Sequence, residues 1–312
     1  MQQVREALVA AGNASYSDSE RKAVGDQISE LRKELLSVAN RSDGAGSYLF
    51  GGQGASQPPF LDAAGGVQFR GSSGQTEAAS GEALPLTLDG QAAWMQARTG
   101  NGVFVTRAVT STGTAWIGTG SVTNPQALTG STYSVQFSVA GGATTYSILK
   151  DGAPTAQSNV SFAAGQSIQI DGMAASISGN PANGDVFEIA ASTPTASVFN
   201  VLDQAISDLR TPLRSNAQIA QSNSGNLAAL DGVLGQLQSA RSQVGATLNR
   251  IDGVQSRLSA VKLASETVRS NAEDLDLTQA ISDFSNQQTG YDAALKAYSL
   301  VQHLSLFNYI NN

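Results

Sequence analysis

Residue types from which many enzymes build catalytic sites are missing or scarce in this chain of 312 residues. It has no cysteine and a single histidine, His303. A zinc site with several histidine or cysteine ligands is therefore excluded in practice. A Ser-His-Asp triad would have to recruit His303 from an apolar helical pattern near the end of the chain, which we do not expect. The sequence predicts a protein that is not an enzyme and uses no cofactor or metal.

Charge is also scarce, and its sign is unfavourable for binding nucleic acid. Only 14% of the residues are charged and the net charge is −7, whereas a nucleic-acid interface needs basic residues to neutralise phosphates. No window approaches eighteen apolar residues, so we expect no transmembrane helix and no membrane partner. The absence of cysteine has two interpretations. It is either chance, or it marks a chain that stays unfolded during export and cannot risk disulfide crosslinks.

Proline is absent after Pro212, and the region that follows has the pattern of one long helix. Its regularly spaced residues, which we call the C-terminal seam, are Leu227, Leu230, Leu234, Leu237, Arg241, Val244, Leu248, Ile251, Val254, Leu258, Val261, Ser265, Val268, Ala272 and Leu275. Two successive steps of three around Ile251 form a stammer, which rotates the seam without ending the helix. Such a helix would be on the order of 70 Å long. We expect it to bury the seam against partner helices.

The C-terminal seam is interrupted by four interior glycines, Gly232, Gly235, Gly245 and Gly253. Each costs roughly 1 kcal/mol against alanine within a helix. They are either surface residues that the helix tolerates, or positions where helices pack closely or where a low helix stability is useful. The sequence does not choose between these interpretations.

Two shorter helices are predicted at the start of the chain. In the first, Val4 and Leu8 share a face. In the second, Ser17 and Glu20 form a capping box at the N-terminus. The apolar residues of the second helix repeat at four-three spacing, at Val24, Ile28, Leu31, Leu35 and Val38. We expect this helix to pack with the C-terminal seam in a bundle, although most of the chain lies between them.

Between residues 54 and 192 the period of the pattern changes to two, which predicts strands. Alternation occurs at residues 67–70, 84–88, 103–106, 133–139, 145–149, 167–170 and 186–189. Typical turn dipeptides separate these segments: Asp89-Gly90, Asn101-Gly102, Gly141-Gly142, Asp151-Gly152, Asp171-Gly172 and Asn183-Gly184. Short strands at this spacing predict an all-β sandwich or barrel-like domain.

The helical period returns after Pro194, and Val198, Leu202 and Leu209 mark a helix that ends near Pro212. The predicted fold class is therefore α+β multidomain. A long α-helical coiled-coil or bundle rod, discontinuous in sequence, carries an inserted all-β domain. We assign the helical rod to residues 1–53 and 193–275, the β domain to residues 54–192, and a C-terminal assembly helix to residues 276–312.

Two further binding functions were weighed against the residues. Residues 274–278 have the opening rhythm of a calcium loop, but Gln279 and Ser285 stand where that loop needs glycine and glutamate. We interpret these acidic residues as part of a junction between two helices. Paired carboxylates of a glycosidase, or a carbohydrate-binding surface, stay open for the β domain because a sequence does not show separations in space.

The last predicted helix carries large apolar and aromatic residues to the end of the chain. Such a terminus is exposed unless something covers it. It could dock on its own domain, but no N-terminal helix is long enough to cover it. We therefore predict that it binds other chains. The predicted assembly residues are Phe284, Tyr291, Leu295, Tyr298, Val301, Leu304, Leu306, Phe307, Tyr309 and Ile310.

Both ends of the chain resemble the bacterial flagellin superfamily. Residues 276–298 read DLTQAISDFSNQQTGYDAALKAY, and residues 302–311 read QHLSLFNYIN. That ending is similar to proteins of the hook–filament junction, whereas flagellin is expected to end in a different, leucine-rich tail. Residues 31–52, which end in YLFGG, and residues 69–75, FRGSSGQ, are similar to the same proteins. The β domain matches only weakly.

The resemblance implies a structural adaptor of the flagellum. It would form a ring that joins the hook, through hook-associated protein 1, to the flagellin filament. The implied partners are hook-associated protein 1, flagellin, further copies of this chain, and an export chaperone at the C-terminal helix. The implied location is extracellular, after export through the flagellar secretion apparatus. Members of the superfamily begin with a long N-terminal helix that pairs with the C-terminal one, and this chain is expected to start downstream of it.

Two other functions stay open. A flagellin-type filament subunit would share the helical regions. A secreted adhesin or glycan-binding protein could use the same helices as a stalk.

Overall fold

A computed structural model describes residues 1–303 except 45, 78–84, 86 and 274–275. These residues contain six α-helices: α1 (Gln2–Ala11), α2 (Asp18–Ala39), α3 (Gly90–Met95), α4 (Val198–Arg210), α5 (Asn216–Glu273) and α6 (Leu277–His303). No helix among the described residues is long and apolar enough to cross a membrane. The chain divides into two compact units, the first of which is Met1–Leu248 and the second of which begins at Asn249.

The described residues also contain twelve strands, all but the first two between residues 104 and 191. They are β1 (Phe60–Ala63), β2 (Gly66–Phe69), β3 (Phe104–Thr110), β4 (Trp116–Ile117), β5 (Ser121–Val122), β6 (Tyr133–Ala140), β7 (Ala143–Lys150), β8 (Ala153–Pro154), β9 (Val160–Ser161), β10 (Ser167–Ile170), β11 (Met173–Ser178) and β12 (Val186–Ala191). Helices and a strand region of this kind confirm the predicted α+β fold class.

The start of α2 is fixed by the capping box that the sequence predicted. The Ser17 hydroxyl accepts a hydrogen bond from the Glu20 backbone N–H at 3.3 Å, and a Glu20 carboxylate oxygen accepts one from the Ser17 N–H at 2.7 Å. Two backbone donors at the helix end are thereby satisfied. Asp18 and Glu20 also lie in the first turn, where their negative charges interact favourably with the positive end of the helix dipole and stabilise the helix.

The first hydrophobic core joins α1, α2, α4 and the first half of α5. It also contains α3 and the β1–β2 hairpin, through Phe60, Val67 and Trp94. The Trp94 ring stacks on Phe199 of α4 with the ring centroids 5.7 Å apart and the planes 11° from parallel. The β1–β2 hairpin and α3 thus pack with the other helices, although they follow residue 54, where the predicted β domain begins.

A buried guanidinium ties the hairpin to the helices. Arg32 of α2 donates two hydrogen bonds to Asp62 of β1, at 2.7 and 2.9 Å, and contacts Asp203 of α4 at 2.6 Å. The hydrogen bond with Asp62 is the main cause that raises the pKa of Arg32, and the same bond lowers the pKa of Asp62. Because one guanidinium contacts both carboxylates, it holds α2, β1 and α4 together.

The remaining strands form two antiparallel sheets. One has the order β3-β12-β6-β7-β8, with β9 also paired to β7, and the other has the order β10-β11-β4, with β5 also paired to β11. Their facing side chains enclose a second core, in which Tyr133, Phe187 and Ile177 are among the fully buried residues. The alternating pattern predicted an all-β sandwich or barrel-like domain.

Turn glycines set the hairpin registers. Gly141 and Gly142, between β6 and β7, have φ angles of 59° and 81°, which an L-residue with a Cβ rarely adopts. Two successive positive φ angles are the signature of the tight turn that matches strand twist. Asp151-Gly152 and Asp171-Gly172 repeat this arrangement after β7 and β10, as their sequence predicted.

The β region joins the helical core through a narrow two-stranded connection. The backbone groups of Ala97 and Ala196 exchange two hydrogen bonds, at 3.0 and 2.9 Å, and the Thr99 N–H donates to the Thr193 carbonyl at 3.0 Å. A separate contact joins β4 to α5, where the Gln221 side chain accepts a hydrogen bond from the Ile117 N–H at 2.8 Å. The sheets are therefore held to the helices by more than a flexible linker.

Two sequence expectations were wrong in detail. Asp89-Gly90 is not a hairpin turn. Asp89 caps α3 by accepting a hydrogen bond from the Ala92 N–H at 3.1 Å. The strand β11 was missed because its first three residues, Met173, Ala174 and Ala175, are all buried and show no alternation. Of the strand expected at 84–88, residues 84 and 86 lie outside the described residues, and Pro85 forms an isolated bridge with Glu77.

Candidate assembly surface

The candidate surface begins where the seam of α5 leaves the core. Leu230 and Val233 are completely buried, and Leu227, Leu234 and Leu237 are packed against the same core. Beyond Ala240 the seam continues with the same spacing but without cover, so that Leu258 is 64% and Val268 is 68% exposed. The predicted uninterrupted helix is confirmed, whereas within the single chain the predicted burial of its seam ends at about Ala240. Leu275, the last seam position, lies outside the described residues.

The helix α6 presents the second part of the surface. Its start is capped by Asp276, whose carboxylate accepts hydrogen bonds from the N–H groups of Thr278 and Gln279 at 3.0 and 3.2 Å. Asp276 therefore lies at a junction between helices, as the sequence indicated, whereas Asp274 lies outside the described residues.

The described assembly residues of α6 are all exposed. Phe284 is 67% and Tyr291 is 66% exposed, and Leu295, Tyr298 and Val301 are exposed with them. Their spacing places them on one side of the helix. The other predicted residues, Leu304, Leu306, Phe307, Tyr309 and Ile310, lie outside the described residues.

The surface of α6 carries few charges. The charged residues of α6 are Asp283, Asp292 and Lys296. Among the described residues, no group of three or more His, Cys, Asp or Glu side chains could hold a metal ion. What an apolar helical face of this kind can do is pack against another apolar face and release water.

The exposed second half of α5 was not recognised from the sequence as part of the same surface. The seam has the same residue types and spacing before and after Ala240. Only the fold shows that the covering elements end there.

Family comparisons match both ends of the chain. Residues 1–55 match the bacterial flagellin N-terminal helical region, and residues 227–310 match the bacterial flagellin C-terminal helical region. The flagellar hook-associated protein 3 of Escherichia coli strain K12 is 23% identical over 98% of this chain and 72% of its own length. The Salmonella typhimurium protein of the same name is 24% identical over the same shares.

Solved structures agree over most of the chain, including the β region. The flagellar hook-associated protein 3 of Legionella pneumophila has a TM-score of 0.80 and 27% identity, and the match covers 87% of each chain. Xanthomonas campestris FlgL has a TM-score of 0.75 and 31% identity over 82% of this chain and 84% of its own. At this identity and coverage, and with both flagellin helical regions present, the chain belongs to the FlgL family, the family of flagellar hook-associated protein 3.

Proposed function

We propose that this chain is a structural adaptor at the junction between the flagellar hook and the flagellin filament. The observation that carries the proposal is the exposed apolar face of α6 in a chain of the FlgL family. A protein of that family from Legionella pneumophila, 29% identical to this chain, is named a flagellar junction protein. An adaptor needs faces that neighbouring subunits can cover, and α6 supplies one.

The mechanism is assembly by burial of apolar surface. A buried aromatic ring removes on the order of 150–250 Å² from water. At about 25 cal/mol per Å², covering the exposed two thirds of Phe284 or Tyr291 contributes roughly 3 kcal/mol each before the cost of association. Four or five such residues on one face are enough to make docking favourable once neighbours are held in place.

The finer assignments are part of the same proposal. The chain forms a ring of copies that binds hook-associated protein 1 on one side and flagellin on the other. An export chaperone covers α6 before the chain leaves the cell through the flagellar secretion apparatus, and the mature location is extracellular. A chain without cysteine suits such export, because no disulfide can form on the way.

The proposal includes no catalytic activity. Support comes from the flagellar hook-associated proteins that the chain resembles, and from its single histidine at position 303. Asp185 of the β region is buried, and its carboxylate accepts hydrogen bonds from backbone donors, which is the pattern of a structural role.

The second candidate is a filament subunit, which the two flagellin helical regions favour. Immunogold electron microscopy of whole bacteria with an antibody against the β region separates the two. We expect one narrow band between hook and filament. Gold along the whole filament would establish the filament subunit instead. Flagella without gold, on cells that express the chain, would reject both and favour an adhesin.

A further inference from the structure

The loop between α4 and α5 holds a leucine in a backbone conformation that leucine rarely adopts. Among the described residues, four non-glycine residues have a positive φ angle, and three of them are aspartate or asparagine, the types that enter this region most readily. The fourth is Leu213, with a φ angle of 57°. Glycine would adopt this angle without strain. The presence of leucine therefore calls for a reason other than the shape of the loop.

The fold of the chain itself leaves the Leu213 side chain uncovered. Leu213 is 94% exposed, more than any other large apolar residue that the structure describes. It follows Thr211 and Pro212, which are exposed as well and carry no charge. We call these three residues the loop tip. The loop tip is an uncharged projection with a branched aliphatic side chain at its end.

Hydrogen bonds on both sides hold the loop tip in place. The Leu213 N–H donates to the Asp18 carboxylate at 2.9 Å. The guanidinium of the next residue, Arg214, turns back to its own chain and donates to the backbone carbonyls of Asp208 and Gln218 at 3.1 and 2.7 Å. A strained residue persists where its surroundings fix it, and such residues are concentrated at functional sites. The structure therefore presents Leu213 in a fixed position.

A pocket of matching character lies beside the first part of α4. It has a volume of about 270 Å³, and β3, α4 and α5 supply the apolar wall residues Phe104, Val201 and Ala229. A cavity of about 150 Å³ can hold a benzene-sized group, so this pocket has room for a leucine side chain. Two polar side chains of the lining, Asn101 and Asn226, donate hydrogen bonds within their own chain. The pocket therefore favours a neutral apolar group.

The loop tip and the pocket also match in charge. None of the residues that line the pocket is charged, and neither is any residue of the loop tip. No ion would have to leave water when the two surfaces meet, which is the usual condition at the centre of a protein interface.

One chain does not fill its own pocket with its own loop tip. Both lie in the first compact unit, but Val201 of the pocket is nine residues before Arg210, the last residue of α4. That separation is about 14 Å along the helix, and Leu213 lies three residues further along the chain. The occupant of the pocket must therefore come from another molecule.

We propose that Leu213 of one chain inserts into the pocket beside Phe104 and Val201 of a second copy. Because the loop tip and the pocket are different surfaces, the contact is heterologous, and each copy keeps a loop tip for one neighbour and a pocket for the other. Such contacts close into a ring when the rotation between copies allows it. The ring rests on the proposed function, whereas the contact between two copies can be tested without it.

Cysteine pairs test the contact directly, because the natural chain contains no cysteine. The full chain with Leu213→Cys and Ala228→Cys carries one thiol on the loop tip and one in the pocket. They cannot join within one chain, because α5 rises about 18 Å from Asn216 to Ala228 and a disulfide needs Cα atoms about 4.4–6.8 Å apart. The control, Leu213→Cys with Ala156→Cys, replaces an exposed alanine of the β region outside the pocket.

Under mild oxidation of the concentrated protein, we expect the first variant to form a ladder of dimers, trimers and higher oligomers at least tenfold faster than the control. Equal rates would mean random collisions and overturn the proposal, and so would the absence of crosslinks. A dimer band without higher oligomers would mean a closed pair of copies and overturn the heterologous contact.

The variant Leu213→Gly gives a readout without cysteine. It relieves the strained φ angle and removes a side chain that is 94% exposed, so the urea midpoint should equal or exceed that of the natural chain. Self-association of the concentrated protein, followed by sedimentation, should weaken at least tenfold. A lower midpoint would show that Leu213 supports its own fold, and unchanged association would show that it is not in the interface. Either result overturns the proposal.

The proposed function is judged separately. Gold at the junction without the ladder of crosslinked copies rejects the Leu213 contact alone. The ladder without gold at the junction rejects the adaptor alone.

Discussion

Two glycines of α5 three residues apart have different surroundings. A Cβ added at Gly232 would lie 3.0 Å from the backbone carbonyl oxygen of Arg98, whereas one at Gly235 would meet nothing within 4 Å. Gly245 is equally open. The sequence left tolerated surface glycine and close packing as alternatives, and the structure assigns close packing to Gly232 alone of these three.

Alanine substitutions should reproduce this difference. Gly235→Ala is expected to raise the free energy of unfolding by about 0.5–1 kcal/mol, because alanine loses less backbone entropy in a helix. Gly232→Ala gains the same helix propensity but must displace the Arg98 carbonyl, so it should be no more stable than the natural chain. Urea unfolding followed by tryptophan fluorescence measures both. An equal gain at the two positions would show that the chain at Arg98 moves aside freely.

Asp185 holds two loops of the β region together. Its carboxylate is fully buried and accepts hydrogen bonds from the N–H groups of Thr112, Ala182 and Gly113, at 2.7, 2.8 and 3.2 Å, and from the Thr112 hydroxyl at 2.9 Å. Burial by itself raises the pKa of Asp185, but the hydrogen bonds from Thr112, Ala182 and Gly113 together outweigh it and lower the pKa below its ordinary value.

This lowered pKa gives a pH-dependent prediction. Because the folded pKa lies below the unfolded one, the charged carboxylate stabilises the fold above the ordinary aspartate pKa of about 3.9, and the contribution is lost as pH falls below it. Asp185→Asn should cost about 2 kcal/mol at pH 7, since its amide N–H groups face other donors. The difference from the natural chain should shrink as the pH falls below about 4. Exposed Asp252→Asn is the control and should change little, and a constant Asp185→Asn difference would contradict the role of the charge.

At the scale of elements, local chemistry made most of the helices and hairpins predictable. The capping box at Ser17 and the Gly141-Gly142 turn depend on interactions between residues that are close in sequence. They can therefore be predicted from a short stretch of the chain. Membership in a core is different. Phe60 and Trp94 pack with α4, which is distant in sequence. The seam of α5 loses its cover at Ala240 because none of the described elements of its own unit continues there. Such facts depend on tertiary contacts that a single sequence does not contain.

The narrow connection at Ala97 and Ala196 predicts where the β region can be removed. Replacing residues 100–192 by a four-residue Gly-Ser linker between Thr99 and Thr193 should leave a folded helical core, since those two residues already share a backbone hydrogen bond of 3.0 Å. Helical circular dichroism and the fluorescence of buried Trp94 measure the fold. Motility should also survive in cells that carry this variant.

The matched comparison is the longer deletion of residues 54–192, which follows the boundary predicted from the sequence. It removes Phe60, Val67 and Trp94 from the first core. We expect this variant to lose cooperative unfolding. If both deletions fold equally well, the hairpin and α3 are dispensable and the boundary at residue 54 stands.

At the scale of the whole molecule, we expect stability and assembly to depend largely on different parts of the chain. The two closed cores lie within residues 1–248, where fully buried residues such as Leu202 and Phe187 are found. From Asn249 onward, the described large apolar residues are exposed, apart from the half-buried Val254. A substitution from Asn249 onward should therefore weaken assembly without lowering the stability of the two cores. Loss of a buried aromatic residue usually lowers the stability of the fold instead.

Tyr291→Asp makes that separation measurable. The variant should unfold with the same urea midpoint as the natural chain when Trp94 fluorescence is followed, because Trp94 lies in the first core and Tyr291 is 66% exposed. In cells that lack the natural chain it should reduce motility by at least tenfold, since a charge on the α6 face cannot be buried between subunits. Asn286→Asp adds the same charge to the same helix away from that face and should restore normal motility. Equal motility of the two variants would separate α6 from the junction, whereas a lowered urea midpoint for Tyr291→Asp would show that α6 supports the core directly.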